Sequence, residues 1–177
     1  MVRSDGNGKP NARNGLKLLI TVTVYTYFLD YQKAFDTVPH HRLMEKLRWY
    51  GIPTSLLSWI CEFVSKRSMR VLSEGSCSSW NTVMSGIPQG SVLEPLLFLL
   101  YVIDVPSLIH CKSKLFADDM KLWQLIKDYD ENVKLQNDLY SLELWSEKWL
   151  LKFNTEKCHK ISIGHTLQTA YYLTDVK

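Results

Sequence analysis

Hydrophobic and polar positions along this chain fall into blocks of different period. Residues 18–29 crowd β-branched and aromatic side chains together (Leu-Leu-Ile-Thr-Val-Thr-Val-Tyr-Thr-Tyr-Phe-Leu) and predict a strand or strand pair that ends at Asp30. A connecting segment, residues 31–38, leads to Pro39, which suits the first turn of a helix. Leu43, Leu47 and Tyr50 then recur at helical spacing with Met44 beside them, and Gly51 and Pro53 stop the run. Thr54 or Ser55 opens a second helix with Leu57, Ile60, Cys61 and Val64 as its apolar set, followed by the basic Lys66 and Arg67. Residues 69–73 and 79–84 predict two short strands around a Glu-Gly-Ser turn. Residues 92–103 form a hydrophobic helix capped by Ser91 and expected to be buried. Two apolar strands around Asp118 and Asp119 predict a hairpin, its second strand running to Ile126. The clearest periodicity is Leu135, Leu139, Leu142, Trp145 and Trp149, one face of a core helix on which Lys134 and Asp138 stand as an i,i+4 pair. A turn at residues 153–158 and a strand at 160–163 close the pattern.

Length and composition place this pattern in one domain. The 177 residues, 46% hydrophobic and 22% charged, suffice for a packed core. The polar residues 1–15 predict a disordered tail, residues 18–163 carry the domain, and residues 164–177 show no informative pattern. A net charge of +3 is too small to indicate a nucleic-acid partner by itself. Cys61, Cys77, Cys111 and Cys158 are widely spaced without a C-x-x-C pair, which argues against a zinc site or a disulfide framework and predicts reduced, intracellular thiols. The apolar stretch at 18–29 is too short to cross a membrane and begins too late for a signal peptide.

Carboxylates supply the candidate chemistry. Adjacent Asp118 and Asp119 cannot both enter a core unpaired, so they fit a hairpin tip, either as a plain solvated turn or as ligands of a hard cation such as Mg2+. Asp30, at the end of an apolar strand, is open to the same two readings. In one antiparallel sheet Asp30 and Asp118 can lie on neighbouring strands, and three carboxylates at one sheet edge suit two ions about 3.5–4 Å apart. The segment Ser85-Gly86-Ile87-Pro88-Gln89-Gly90-Ser91 fixes an unusual backbone path next to a helix start. Gln89, at its centre, offers both a donor and an acceptor.

Three stretches resemble motifs A, B and C of reverse transcriptases: Phe28-Leu29-Asp30-Tyr31-Gln32-Lys33-Ala34-Phe35-Asp36-Thr37-Val38, Ser85 to Ser91, and Phe116-Ala117-Asp118-Asp119. The closer resemblance is to enzymes of non-LTR, LINE-type, jockey-like retrotransposons. Trp145-Ser146-Glu147-Lys148-Trp149 with Phe153-Asn154-Thr155-Glu156-Lys157-Cys158 is similar to motif D of that group. The resemblance spans about residues 27–163. It implies an α+β fold: an antiparallel polymerase palm sheet of three or four strands with helices packed on one face. The implied activity is RNA-directed DNA polymerisation with two Mg2+ ions, or Mn2+ in their place, acting on an RNA template, a DNA primer and dNTPs. By the same resemblance Asp30, Asp118 and Asp119 are the metal ligands and Phe35 is a steric gate against a 2′-hydroxyl. Gln89 and Gly90 touch the incoming nucleotide and template, and Lys157 is a general acid for pyrophosphate. Asp36 is read as structural, through an Asx turn or a helix cap.

The chain also departs from that family. Glu94 stands where the family usually has Gly, putting a carboxylate in the first turn of a helix that should face nucleotide. Residues 1–24 do not match the basic fingers segment, and the expected primer grip and thumb are missing. The alternative expectation is therefore a truncated, inactive retrotransposon remnant that acts at most as an interaction fragment.

Overall fold

The computed structural model describes residues 23–164. The expected tail at 1–15, the start of the first strand before Thr23 and nearly all of the uninformative C-terminal stretch lie outside the described residues. The chain runs as β1 (Thr23–Leu29), α1 (Ala34–Thr37), α2 (His40–Trp49), α3 (Thr54–Val64), β2 (Ser68–Met69), β3 (Leu72–Ser73), β4 (Ser76–Cys77) and β5 (Asn81–Thr82). It continues through α4 (Leu93–Val102), a 3-10 turn (Val105–Leu108), β6 (Lys112–Phe116), β7 (Asp119–Ile126), α5 (Tyr129–Trp149) and β8 (His159–Ile163). Four strands form an antiparallel sheet in the order β6-β7-β1-β8.

Strand alternation decides which face is covered. Thr23, Tyr25, Tyr27 and Leu29 of β1 are buried, and so are Met120, Leu122 and Ile126 of β7. The register pairs Leu29 with Met120, Tyr27 with Leu122 and Thr23 with Ile126, so these side chains share one face. α5 packs against β7, and Leu135, Leu139, Leu142, Trp145 and Trp149 are all five buried as the helical spacing predicts, the two tryptophans meeting Tyr101 of α4. On the other face Phe28 lies opposite Lys121, whose ammonium stands 5.1 Å from the ring centroid, and His159 stacks on Phe28 at 4.8 Å.

Helix ends follow their punctuation. Gly51 takes φ 78 just past α2, a conformation L side chains rarely adopt, and ends that helix. α5 begins at Asp128, whose side chain accepts from the Glu131 N–H at 3.0 Å. α3 starts at Thr54, but neither Thr54 nor Ser55 caps it; Pro53 occupies the cap position.

Several expectations change. The segment after Asp30 is not a plain connection, since it contains α1. The two strands expected at 69–73 and 79–84 break into two-residue ladders, β2 with β5 and β3 with β4. Their residues are exposed, so no core face enforces a longer register. Cys61 is exposed rather than part of the apolar set of α3. α4 is buried only on the side of Leu97, Phe98, Tyr101 and Val102, leaving Leu96 and Leu99 exposed. Asp138 does not pair with Lys134. It is buried at 2% and accepts from the backbone N–H groups of His110 and Cys111, with His110 Nδ1 at 3.0 Å, because two fixed backbone donors satisfy a buried carboxylate better than one mobile surface lysine. That carboxylate and burial push the Cys111 thiol up to about 12, burial being the larger cause. None of the four cysteines forms a disulfide.

Candidate active site

The carboxylates gather at the end of the β1–β7 ladder. Leu29 pairs with Met120, so the next residue of each strand, Asp30 and Asp119, occupies a neighbouring position. By alternation both continue the Phe28–Lys121 face, away from the helices. Asp118 lies beside them in the two-residue turn closing the β6–β7 hairpin, where Phe116 pairs with Asp119. Ala117 holds φ 53 in that turn, a left-handed conformation unfavourable for a residue with a Cβ. Lys33, three residues after Asp30, does the same at φ 45. Backbone strain of this kind on both sides of the carboxylates is a feature of functional loops.

The residues after α5 are pinned to Asp30. The Gln32 N–H donates to the Lys152 carbonyl at 2.8 Å and the Asn154 N–H to the Asp30 carbonyl at 2.8 Å, while Tyr31 and Phe153 stack at 4.8 Å. This docking brings Lys157 Nζ to 3.2 Å from Asp30 Oδ2. The donor chemistry suits a hard cation: three oxygen-bearing carboxylates at one ladder end. As the side chains stand, no three His, Cys, Asp or Glu groups among the described residues enclose an ion, and the Lys157 ammonium neutralises Asp30 instead.

The segment holding Gln89 is stitched to α1. The Gly86 N–H donates to the Val38 carbonyl and the Ile87 N–H to the Phe35 carbonyl, each at 2.9 Å. Ser85 Oγ donates to the Asp36 carbonyl at 2.9 Å. Gly86 is required by this closeness: it has φ 89, and a Cβ there would lie 2.7 Å from the Asp36 carbonyl oxygen. Gly86→Ala is expected to cost about 1–3 kcal/mol from backbone strain alone, read as a lower urea midpoint. An unchanged midpoint would mean that the two segments separate freely.

Three side chains take roles that the sequence reading missed. Asp36 is neither an Asx turn nor a cap; its Oδ1 accepts from Gln89 Nε2 at 2.9 Å. His40 Nε2 lies 2.9 Å from the Gly86 carbonyl, which also receives the Arg67 guanidinium at 3.4 Å. Glu94 reaches back so that its Oε2 accepts from the Gly90 N–H at 2.6 Å, while its own N–H donates to Ser91 Oγ at 3.1 Å. A Ser-x-x-Glu run flags the Ser91–Glu94 half of this arrangement in a sequence, but α4 begins at Leu93 with Val92, not the expected Ser91, in its cap position. The partnerships of Asp36 and His40 span 53 and 46 residues and leave no local pattern. Phe35 is half-buried, with its ring 4.5 Å from that of Phe98 in α4.

Comparisons with known proteins agree with this architecture. The family model for reverse transcriptase (RNA-dependent DNA polymerase) matches residues 9–173. The chain therefore belongs to the reverse transcriptase family, and its sheet is a polymerase palm. It is 30% identical to the RNA-directed DNA polymerase from mobile element jockey of Drosophila melanogaster, over 78% of this chain and 16% of that protein. It is 31% identical to the probable RNA-directed DNA polymerase from transposon X-element of the same species, over 76% of this chain and 15% of that one. These are non-LTR retrotransposon proteins, and the chain spans about one sixth of their length. Among solved structures it resembles telomerase from Candida albicans in complex with a TWJ fragment of telomeric RNA, with TM-score 0.62 and 13% identity over 82% of this chain and 27% of that one. An apo telomerase from Candida tropicalis gives TM-score 0.61 at 17% identity, over 83% of this chain and 32% of that one. No helix among the described residues is long and apolar enough to cross a membrane.

Proposed function

We propose that residues 18–163 are the palm of an RNA-directed DNA polymerase that transfers deoxynucleotides from dNTPs to the 3′-hydroxyl of a DNA primer on an RNA template. The observation that carries this reading is the β1–β7 register, which sets Asp30 and Asp119 at adjacent ladder-end positions beside the Asp118 turn. Asp30, Asp118 and Asp119 would hold two Mg2+ ions, which Mn2+ can replace. Bound there, the ions supply charge stabilisation for the attacking hydroxyl and the leaving pyrophosphate. The chain's own residues position the reactants. Phe35, braced by Phe98, blocks the place of a ribose 2′-hydroxyl, and Gln89 and Gly90 face nucleotide and template. Lys157, whose Nζ lies 3.2 Å from Asp30 Oδ2, would donate a proton to the leaving pyrophosphate.

A second reading, an inactive remnant, is favoured by Glu94. Its carboxylate occupies the Gly90 N–H and brings negative charge to the loop that would meet phosphates. Primer extension on an RNA template with Mg2+ separates the two readings. The 177-residue chain alone is expected to extend little or not at all, since orientation of template, primer and triphosphate supplies much of the rate. Grafted with Glu94→Gly into a full-length jockey-type relative in place of its own segment, it should extend, and Asp118→Asn should abolish that extension. Asp118-dependent extension by the isolated chain would refute the remnant reading; an inactive graft would refute the polymerase reading.

A further inference from the structure

Arg70 and Trp80 stand across from one another just past the β2–β5 ladder, which closes with Met69 paired to Asn81. The Arg70 guanidinium lies 4.6 Å from the Trp80 ring centroid, and the indole is still 63% exposed. The guanidinium covers one face of the ring and leaves the other to solvent. An exposed pair of this kind adds little to stability. Carried one residue beyond the ladder, strand alternation puts Arg70 and Trp80 on the face of Ser68 and Thr82. Those two residues border a groove of about 780 Å³ whose lining also includes Arg67 and Gln89.

Charge here is mostly of one sign. From Arg67 to Gln89 the chain carries two arginines and a single acid, Glu74, in the turn between β3 and β4. Arg67 donates to the Val64 and Gly86 carbonyls, and Arg70 meets the indole, so neither is paired with a carboxylate among the described residues. Asp36, the one acid lining the groove, is taken up by Gln89. A flat ring backed by a guanidinium, beside a groove with unpaired cations, suits single-stranded nucleic acid: a base lies on the ring and phosphates meet the arginines. A protein partner is a poorer match. By the same alternation the exposed Met69 projects from the opposite face of the ribbon to Trp80, so the two do not form one apolar patch.

We propose that the Arg70–Trp80 pair is a stacking platform for an unpaired base of an RNA strand, whose phosphates Arg67 and Arg70 attract. The choice of RNA as the occupant rests on the polymerase reading above. The platform adds a holding point outside the carboxylate site, and it is indifferent to sequence because every base has a π face.

The test is fluorescence anisotropy of a labelled oligouridylate of about 12 nucleotides, the scale of single-strand sites, at low salt and without Mg2+ or dNTP. The unaltered 177-residue chain should bind it, and Trp80→Ala, which removes no core contact, should weaken binding about tenfold, within the range for one stacked base. Trp80→Phe should keep most of the affinity. An abasic ribose-phosphate strand of the same length should bind the unaltered and Trp80→Ala chains equally, since it has nothing to stack. Arg70→Gln should weaken both strands and make binding less dependent on salt. Equal affinity of the unaltered and Trp80→Ala chains for oligouridylate overturns the platform, as does an equal drop with the abasic strand or no binding by the unaltered chain. Trp80-dependent self-association in sedimentation would assign the surface to a second copy and overturn it too. Each of these outcomes leaves primer extension by the graft untouched, whereas an inactive graft overturns the polymerase reading and leaves the measured stacking in place.

Discussion

Replacing Lys46 by Met is expected to destabilise the chain by about 3–5 kcal/mol, the usual loss when one partner of a buried ion pair is removed. Lys46 in α2 is fully buried. Its ammonium lies 2.5 Å from Asp104 Oδ1 and also donates to the Tyr101 carbonyl. Three rings enclose it: Trp149 at 4.3 Å, Trp145 at 4.6 Å and Tyr101 at 5.0 Å to the centroids. The residue thereby ties α2 to the end of α4 and to α5. In Lys46→Met the Asp104 carboxylate loses its counter-charge, whereas Lys46→Met with Asp104→Leu should recover most of the loss. Urea melts of the two single variants and the double variant measure this; equal losses for Lys46→Met and the double variant would show that the ion pair is not the cause.

The same lysine gives a pH dependence of known sign. Burial lowers its pKa to about 8, partly offset by its hydrogen bond to Asp104. The folded chain therefore binds this proton less tightly than the unfolded chain does. Its contribution to stability is fully present above the ordinary value of 10.5 and is lost as pH falls to about 8. Urea midpoints of the unaltered chain should gain an increment over that window that the double variant lacks. Identical pH profiles for the two proteins would contradict the assignment.

Trp145→Ala is expected to cost about 3–5 kcal/mol, the range for removing a large aromatic from a packed core. Trp145 is 4% exposed, its Nε1 donates to Asp104 Oδ2 at 3.2 Å, and its ring meets those of Tyr31 and Tyr101. Trp145→Phe keeps most of the ring but not the donor, and should lose the smaller amount of about 1 kcal/mol for the missing hydrogen bond. A loss well under 1 kcal/mol for Trp145→Ala would place α5 at the periphery of the fold. Trp145 and Lys46 share Asp104, so their losses should not add, and a double-mutant cycle should give a clear coupling.

Sequence by itself determined the elements whose cause is local. The stripe from Leu135 to Trp149 has one solution as a helix face, and Gly51 and Asp128 end or start helices by their own chemistry. The Asp118 turn and the apolar strand before Asp30 were legible because charge cannot enter a core and β-branched runs favour strands. The motif order pointed to the palm, which the family match bears out.

Tertiary structure alone decided the partnerships. Asp138 turned from a helix-surface acid into a buried acceptor because the loop at His110 brought it donors. Lys46 reads in sequence as one more solvated base on α2, and becomes the centre of the core only because Asp104 and three rings converge on it. Asp36 looked like a local cap until the Gln89 loop folded against α1. Local periodicity reports how much of a residue is buried on its own element. Which distant charge or amide will meet it depends on how the elements pack, and no short-range pattern records that.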